Sequence, residues 1–397
     1  MNKTHLIQQV DTERIYRHIL RIEGAGNPID NPQKLDDVSD YIHSEFANYG
    51  LRVNEQEFKV EGFDATFANV EGVVGEEESS ELLIVSHYDT VRDSPGANDN
   101  GSGVAVMLEG ARILSQEANV HNLRFISFTL EEANPKLELK TRNIAQNLGL
   151  TEERSRYATE RTHRLMKQLI GLRAKALASG KNPKEALAEA RCSLDDQLDK
   201  TEIEYLKELE EMYKGITLTS WPGETALMGS GFWVEEAVRT NKEVLGVLNL
   251  ETIGYTSDRK NSQVLPEGMD PTMFQTHRVS DFAVGNFIAV IGDRNSEKLA
   301  ESFCSQCKVD PVDVPYACLE IPLSFEDIAQ FGLFDLLRSD HAPFWRARIP
   351  ALMVTDTANF RYPFYHTQAD TIDKLDFEFM TKVCKASIAT AFEICTC

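Results

Sequence analysis

The sequence predicts an α/β protein: a three-layer α/β/α sandwich around a central, mostly parallel mixed sheet, with an all-helical insertion. Three observations carry this. Short apolar runs rich in β-branched residues alternate with stretches of helical periodicity, the pattern of strands joined by crossover helices. Several of these runs end in a histidine or a carboxylate, which is where open α/β sheets collect ligands. One stretch, residues 133–225, lacks strand-like runs and repeats apolar residues at helical spacing. The chain thus divides into an α/β domain made of 1–132 and 226–397, and a helical insertion at 133–225 that serves as a lid or an oligomerisation element.

The elements follow in order. Residues 1–20 read as an amphipathic helix without the continuous apolar core of a signal peptide. Residues 11–50 contain two helices, the second from Pro32 to Tyr49 with Leu35, Val38, Ile42 and Phe46 on one face and a stop at Gly50. LRVNEQEFKV alternates with period two, and ANVEGVVG precedes a charged turn, GEEESSE; together they suggest a hairpin-like edge feeding a central strand at Leu82–Val85. That strand delivers His87 and Asp89. A loop of turn formers carrying Asp99 follows, then a helix from Gly103 to about Gln116. The next strand, Leu123–Leu130, ends in adjacent Glu131 and Glu132. Two neighbouring carboxylates after an apolar strand are costly if buried without partners.

In the insertion, apolar residues recur at Leu165, Met166, Leu169, Ile170 and Leu172, and again at Leu198, Ile203, Leu206, Leu209 and Met212. Pro183 opens one helix, Ser193 is a plausible cap for another, and Gly215 is a plausible stop. From Asn134 to Thr225 there are 16 Lys and Arg against 15 Asp and Glu, while the rest of the chain carries 25 against 48. The acidity belongs to the α/β body. The insertion leaves the body directly after Glu132, so it rises from the edge that holds the chemistry. The body resumes at MGSGFWVEEAV. A buried strand, Val244–Leu250, ends in Glu251; another spans Phe287–Gly292, with a helix from about Ser296. SDHAPFW reads as a polar turn, IPALMVTDT as a strand, FRYPFYHTQADT carries His366, and the last helix spans Phe377–Cys395.

The formal charge of −22 argues against nucleic acid or an anionic membrane as partner. Seven cysteines form no disulfide framework, which favours a reducing compartment and a cytoplasmic location. Cys304 and Cys307 make a CxxC without a second pair, and Cys395 and Cys397 read as exposed thiols at the C-terminus. No stretch is long and apolar enough to span a membrane.

His87, Asp99, Glu132, Glu251 and His366 therefore stand near strand ends. Two imidazoles and three carboxylates suit Zn²⁺, and are enough for two ions if one carboxylate bridges. Glu131, beside a ligand but without an ion of its own, is the natural general base.

With these motifs assembled, the chain resembles the zinc aminopeptidases of the bacterial leucyl aminopeptidase type, a family that also contains glutaminyl cyclases. The residues that carry the resemblance are SHYDT and GANDNGSG, the paired glutamates at 131–132, MGS at 228–230, NLETIGY, SDHAPF and YHTQADT. The resemblance implies that Asp99 bridges two zincs, that His87 and Glu251 complete one ion, and that Glu132 and His366 complete the other. It makes Glu131 and Asp89 the catalytic candidates: Glu131 as base and then acid for the leaving amine, Asp89 as acceptor of a hydrogen bond from the His87 ring. It also implies a cis peptide at Asp99–Asn100. Two departures stand out. Glu251 occupies a position that is aspartate in many members, and the insertion adds about ninety residues where members usually have a few. The expected function is zinc-dependent hydrolysis of a peptide or amide bond, with a short peptide or small amide as substrate. The alternatives are a single-zinc glutaminyl-cyclase-like acyltransferase and a pathway-specific amidohydrolase. A non-catalytic interaction protein on the same fold would be expected to lose ligands, and here all are retained. Tyr255, Tyr362 and Tyr365 are candidates to hydrogen-bond an oxyanion, and the apolar stripes of the insertion could serve a homo-oligomer.

Overall fold

A computed structural model describes residues 3–75, 80–151, 160–266 and 269–396. The charged turn at 76–79 and Cys397 lie outside the described residues, as does the side chain of Ile170. Instead of one N-terminal helix the chain forms two, α1 (Lys3–Ile7) and α2 (Thr12–Ile22). Asp11 makes the break. Its carboxylate accepts the Glu13 N–H and caps α2, while its own N–H donates to the buried Glu109 carboxylate at 2.8 Å. α3 (Pro32–Asn48) starts on a proline behind an Asn31 cap and buries Leu35, Val38, Ile42 and Phe46.

β1 (Arg52–Lys59) and β2 (Thr66–Val74) pair antiparallel as a hairpin. Next come β3 (Ser80–His87), α4 (Gly101–Leu114) and β4 (Leu123–Phe128). The hairpin joins the sheet through β4 and not through β3, its successor in sequence. Five helices follow: α5 (Pro135–Asn147), α6 (Glu160–Ala178), α7 (Pro183–Ser193), α8 (Lys200–Met212) and α9 (Trp221–Glu224). They gather a small core of their own around Leu165, Met166, Leu169, Leu187 and Leu206. Asn182 and Glu185 form a capping box at the start of α7. Ser193 ends α7 and caps nothing. Asp199 caps α8 instead, where its carboxylate accepts the N–H groups of Thr201 and Glu202. Gly215, at φ +89°, stands shortly past the end of α8.

α10 (Met228–Arg239) leads back to the sheet at β5 (Glu243–Glu251). β6 (Ser257–Lys260), β7 (Gln275–His277), β8 (Val284–Gly285), β9 (Ile288–Gly292), α11 (Glu297–Cys307) and β10 (Tyr316–Glu320) come next. The chain ends with α12 (Phe325–Gln330), α13 (His341–Arg346), β11 (Ala351–Thr355) and α14 (Phe377–Cys395). The SDHAPFW stretch is thus a short buried helix, α13, and not a polar turn. Its apolar residues Ala342, Phe344 and Trp345 pack against the sheet and outweigh the polar start. Cys395 is buried against the body, contrary to the expectation of an exposed thiol.

The main sheet has nine strands in the order β1-β2-β4-β3-β5-β11-β9-β10-β7. The central four, β4, β3, β5 and β11, are parallel, and β1 and β7 point the same way; β2, β9 and β10 run against them. Alternate residues of β3 enter different cores. Leu82 and Ile84 pack with α2, α4 and α14, whereas Leu83 and Val85 pack with α10 and α13. A strand buried on both faces is the mark of three layers. The four central parallel strands also end at one edge. β3 stops at His87, β4 runs into Glu131 and Glu132, β5 stops at Glu251, and β11 leads into the loop of His366.

Candidate active site

Each candidate side chain is held at that edge by backbone bonds that its neighbours supply. The Asp89 carboxylate accepts the backbone N–H of Glu131 at 3.0 Å and of Glu132 at 3.1 Å, so it ties the end of β4 to the end of β3. The His87 ring finds its nearer partner in the Asp89 carbonyl, 3.1 Å from Nδ1, with Asp89 Oδ1 at 3.5 Å. Asp89 therefore orients the ring mainly through its backbone, and its carboxylate holds the paired glutamates. Asp99 is fixed from the far end of the chain: the Asp370 carboxylate accepts the N–H of Asn98 (2.8 Å) and of Asp99 (3.2 Å). The Asp99–Asn100 peptide is cis. The Asn100 side chain donates to the Leu250 carbonyl and accepts the Thr252 N–H, which docks this loop onto the end of β5. Gly103 is needed there, because a Cβ would stand 2.5 Å from that same Leu250 carbonyl. Ser339 donates to Glu251 Oε2 at 2.7 Å and accepts from Asn249.

The five candidate ligands converge. Asp99 turns one oxygen to each histidine: Oδ1 lies 3.4 Å from His87 Nε2, and Oδ2 lies 3.0 Å from His366 Nε2. His87 Nε2 is also 3.5 Å from Glu251, and His366 Nε2 is 3.2 Å from Glu132. Glu131 approaches His87 Nε2 to 4.0 Å. His87 is fully buried, and Asp99, Glu131 and Glu251 nearly so; His366, whose side chain is 31% exposed, forms the open side.

The electrostatics of the protein alone are strained. Burial pushes the Glu131 carboxyl well above its usual range, and the charges of Glu251, Glu132 and Asp340 add to this against His87. Burial also raises Glu132, to about 7, with the Asp99 charge in support. Burial opposes the charged forms of His87 and His366, yet both are held above the ordinary imidazole range. Glu131 and Glu251 do this for His87; Glu132 and Asp99 do it for His366, to about 9. Asp99 is pulled down by its bonds to both rings although burial works the other way.

These residues fit a divalent cation. His87 Nε2, Asp99 Oδ2, Glu132 Oε1 and His366 Nε2 are buried, and among the described residues none of them has a hydrogen bond of good geometry beyond these mutual contacts. Ligand atoms of His87, Glu131 and Glu251, and of His87, Asp99 and Glu132, lie within 4.8 Å of one another. Buried, unsatisfied imidazole and carboxylate atoms facing one point are a donor set for zinc.

Other residues shape the surroundings. Tyr365 stacks on the His366 ring with centroids 3.7 Å apart, and Arg338 donates to its hydroxyl at 3.3 Å. The Tyr362 hydroxyl is committed to Asp370 (2.7 Å), and Tyr255 packs on Tyr362. Of the three tyrosines, Tyr365 lines a cavity of about 80 Å³ beside Glu251 and Ser339. Its apolar wall includes Leu265, Met269, Phe274, Phe282, Phe287 and Met353. Sequence reasoning assigned no role to Ser339, Asp370 or Arg338. The first two lie inside quoted motifs, SDHAPF and YHTQADT, so the available signal was a polar residue within a motif and, for Asp370, a place four residues after His366.

A mixed α/β sheet with an imidazole–carboxylate cluster at its carboxyl edge defines the class: a zinc-dependent hydrolase. Residues 69–169 and 324–391 match the model of peptidase family M28. The Escherichia coli protein YfbL is 22% identical over 89% of this chain and 79% of its own length. Aminopeptidase YwaD of Bacillus subtilis is 53% identical over 51 residues, a local match that spans 13% of this chain and 11% of that protein. Among solved structures, LapB of Legionella pneumophila superposes with a TM-score of 0.57 at 16% identity, covering 99% of this chain and 74% of that one. The glutaminyl cyclase of Porphyromonas gingivalis gives 0.55 at 14% identity, over 97% of this chain and 99% of that one. The protein is accordingly a zinc-dependent peptide hydrolase.

Proposed function

We propose that the protein is a two-zinc aminopeptidase that acts on short peptides or small amides whose first residue is apolar. The single observation that carries the two-ion reading is Asp99, whose oxygens face His87 and His366 separately. His87, Asp99 and Glu251 would hold one ion; Asp99, Glu132 and His366 would hold the other. When bound there, zinc supplies Lewis acidity that polarises a peptide carbonyl and lets water attack at neutral pH. The remaining work falls to the chain. Glu131, buried and 4.0 Å from His87 Nε2, takes the proton of the attacking water and passes it to the departing amine nitrogen. Asp89 is a positioning residue that sets the backbone of both glutamates, and Ser339 aims Glu251. The apolar cavity beside Glu251 accepts the first side chain of the substrate, with Tyr365 and Arg338 at its rim. The helices between Glu132 and α10 restrict access to short substrates; their apolar faces are buried in a core of their own, so copies associating through the insertion would meet through its polar faces. The described cysteines are all free, with Cys192 exposed; this supports a reducing compartment and the cytoplasm. Among the described residues no helix is long and apolar enough to cross a membrane.

The test is zinc content per chain together with hydrolysis of a panel of aminoacyl arylamides by the wild type and Glu131→Gln. The proposal expects two zincs and best activity on leucyl or phenylalanyl substrates. In the variant kcat should fall by about 10²–10⁴ with metal retained. A single zinc with cyclisation of glutaminyl peptides would transfer the assignment to the cyclase-like reading.

A further inference from the structure

A second cavity, of about 290 Å³, lies on the other side of the cluster. Its floor is Glu132 with the loop that follows β3, and its walls come from α5, α6 and α8. Three arginines face it: Arg92 from the loop, Arg142 from α5 and Arg173 from α6. Arg92 and Arg142 share one counter-charge, Asp30, with Arg92 Nε 2.9 Å from Asp30 Oδ2. The Arg92 side chain is only 9% exposed, and its Nη2 is buried without an acceptor among the described residues. Arg173 lies over the rings of Tyr213 and Trp221, at 4.5 and 5.8 Å. Its Nε and Nη2 are likewise buried and unpartnered among the described residues. The acidic residues in the lining are otherwise engaged. Asp89 binds the backbone of the paired glutamates, Glu132 faces His366, and Glu138 has a partner of its own. Buried guanidinium nitrogens that lack acceptors are costly, and a planar fork of donors matches a carboxylate.

We propose that this cavity binds a carboxylate on the leaving portion of the substrate, through Arg92 and Arg173. The inference rests on the peptide-hydrolase reading and narrows it. A substrate placed across the cluster puts its first side chain in the apolar cavity beside Glu251 and its carboxylate in the second cavity beside Glu132. The carboxylate is either the C-terminus of a di- or tripeptide or the side chain of an acidic residue. Arg173 sits on α6, so the helices that depart from the sheet after Glu132 become part of substrate recognition.

The experiment compares kcat/KM for Leu-Gly and Leu-Gly-Gly with that for their C-terminal amides and for Leu-Glu-amide. The zinc-loaded wild type, Arg173→Gln and Arg92→Gln are measured, each with its melting temperature. The free acids should exceed their amides by at least about tenfold in the wild type, mostly through KM. The ratio should fall toward one in each variant; a ratio taken within one protein is insensitive to partial loss of folded enzyme. A matching advantage for Leu-Glu-amide identifies the side chain as the source, and its absence identifies the C-terminus. A wild-type ratio near one together with no advantage of Leu-Glu-amide over Leu-Gly-amide, or an advantage that both variants retain, overturns the proposal. If no peptide is hydrolysed, the peptidase reading fails by itself. Calorimetric titration of the same three proteins with acetyl-Gly-Gly and its amide then decides the cavity. Tighter binding of the acid that is lost in the variants supports it, whereas equal binding, or binding indifferent to both arginines, refutes it.

Discussion

At the scale of single residues the site depends on groups that take no part in the chemistry. Asp89 receives two backbone N–H groups with its two oxygens. Asparagine offers only one acceptor oxygen and would turn an NH₂ toward the second donor. Asp89→Asn should therefore lower kcat and zinc affinity each by about 10–100-fold while far-UV circular dichroism stays native. Unchanged zinc binding and turnover would show that the clamp is dispensable. The candidate ligands were legible because each follows an apolar strand or lies in a turn, and because together they make a zinc donor set. Ser339, Asp370 and Arg338 were less so. Serine, aspartate and arginine at a strand or helix end are ordinary surface choices, and only the tertiary fold brings Ser339 to Glu251 and Asp370 to Asp99.

Elements were legible where local chemistry and packing agree. α3, α7 and α14 begin where proline, asparagine or aspartate supplies the cap and run as far as the apolar periodicity. Where the two disagree, packing wins: SDHAPFW becomes the buried helix α13, and Asp11 splits the N-terminal helix because its N–H has a buried acceptor in Glu109. The seam between α2 and α3 contains a testable titration. His18 is buried, its ring shares hydrogen bonds with Tyr41 and Tyr49, and burial lowers it to about 4 against the pull of Glu45. Between pH 6.5 and 4 the unfolded chain takes up a proton on this residue and the folded chain does not, so stability falls as pH falls through that window. Relative to His18→Gln, the wild type should lose about 2 kcal/mol between pH 7 and pH 5 in urea melts. A difference between the two proteins that does not change with pH would contradict a neutral buried His18.

For the whole molecule, the three layers follow from strands apolar on both faces, and the four central parallel strands place their carboxyl ends, and thus the chemistry, at one edge. The hairpin of β1 and β2 was legible; the antiparallel course of β9 and β10 was not, because strand direction depends on connections that periodicity does not record. The helices after Glu132 were visible as periodicity and as a local balance of charge. Their arginines were not distinguished from solvated surface, since only the folded chain shows the Nε and Nη2 of Arg173 buried in the cavity it lines with Arg92. The central claim is that Asp99 joins two metal ions held by His87 with Glu251 and by Glu132 with His366. Anomalous diffraction from zinc-loaded crystals, recorded on both sides of the zinc edge, tests it most directly. The account predicts two peaks about 3.5–4 Å apart with Asp99 between them. One peak, or peaks whose ligands lie outside these five residues, would contradict it.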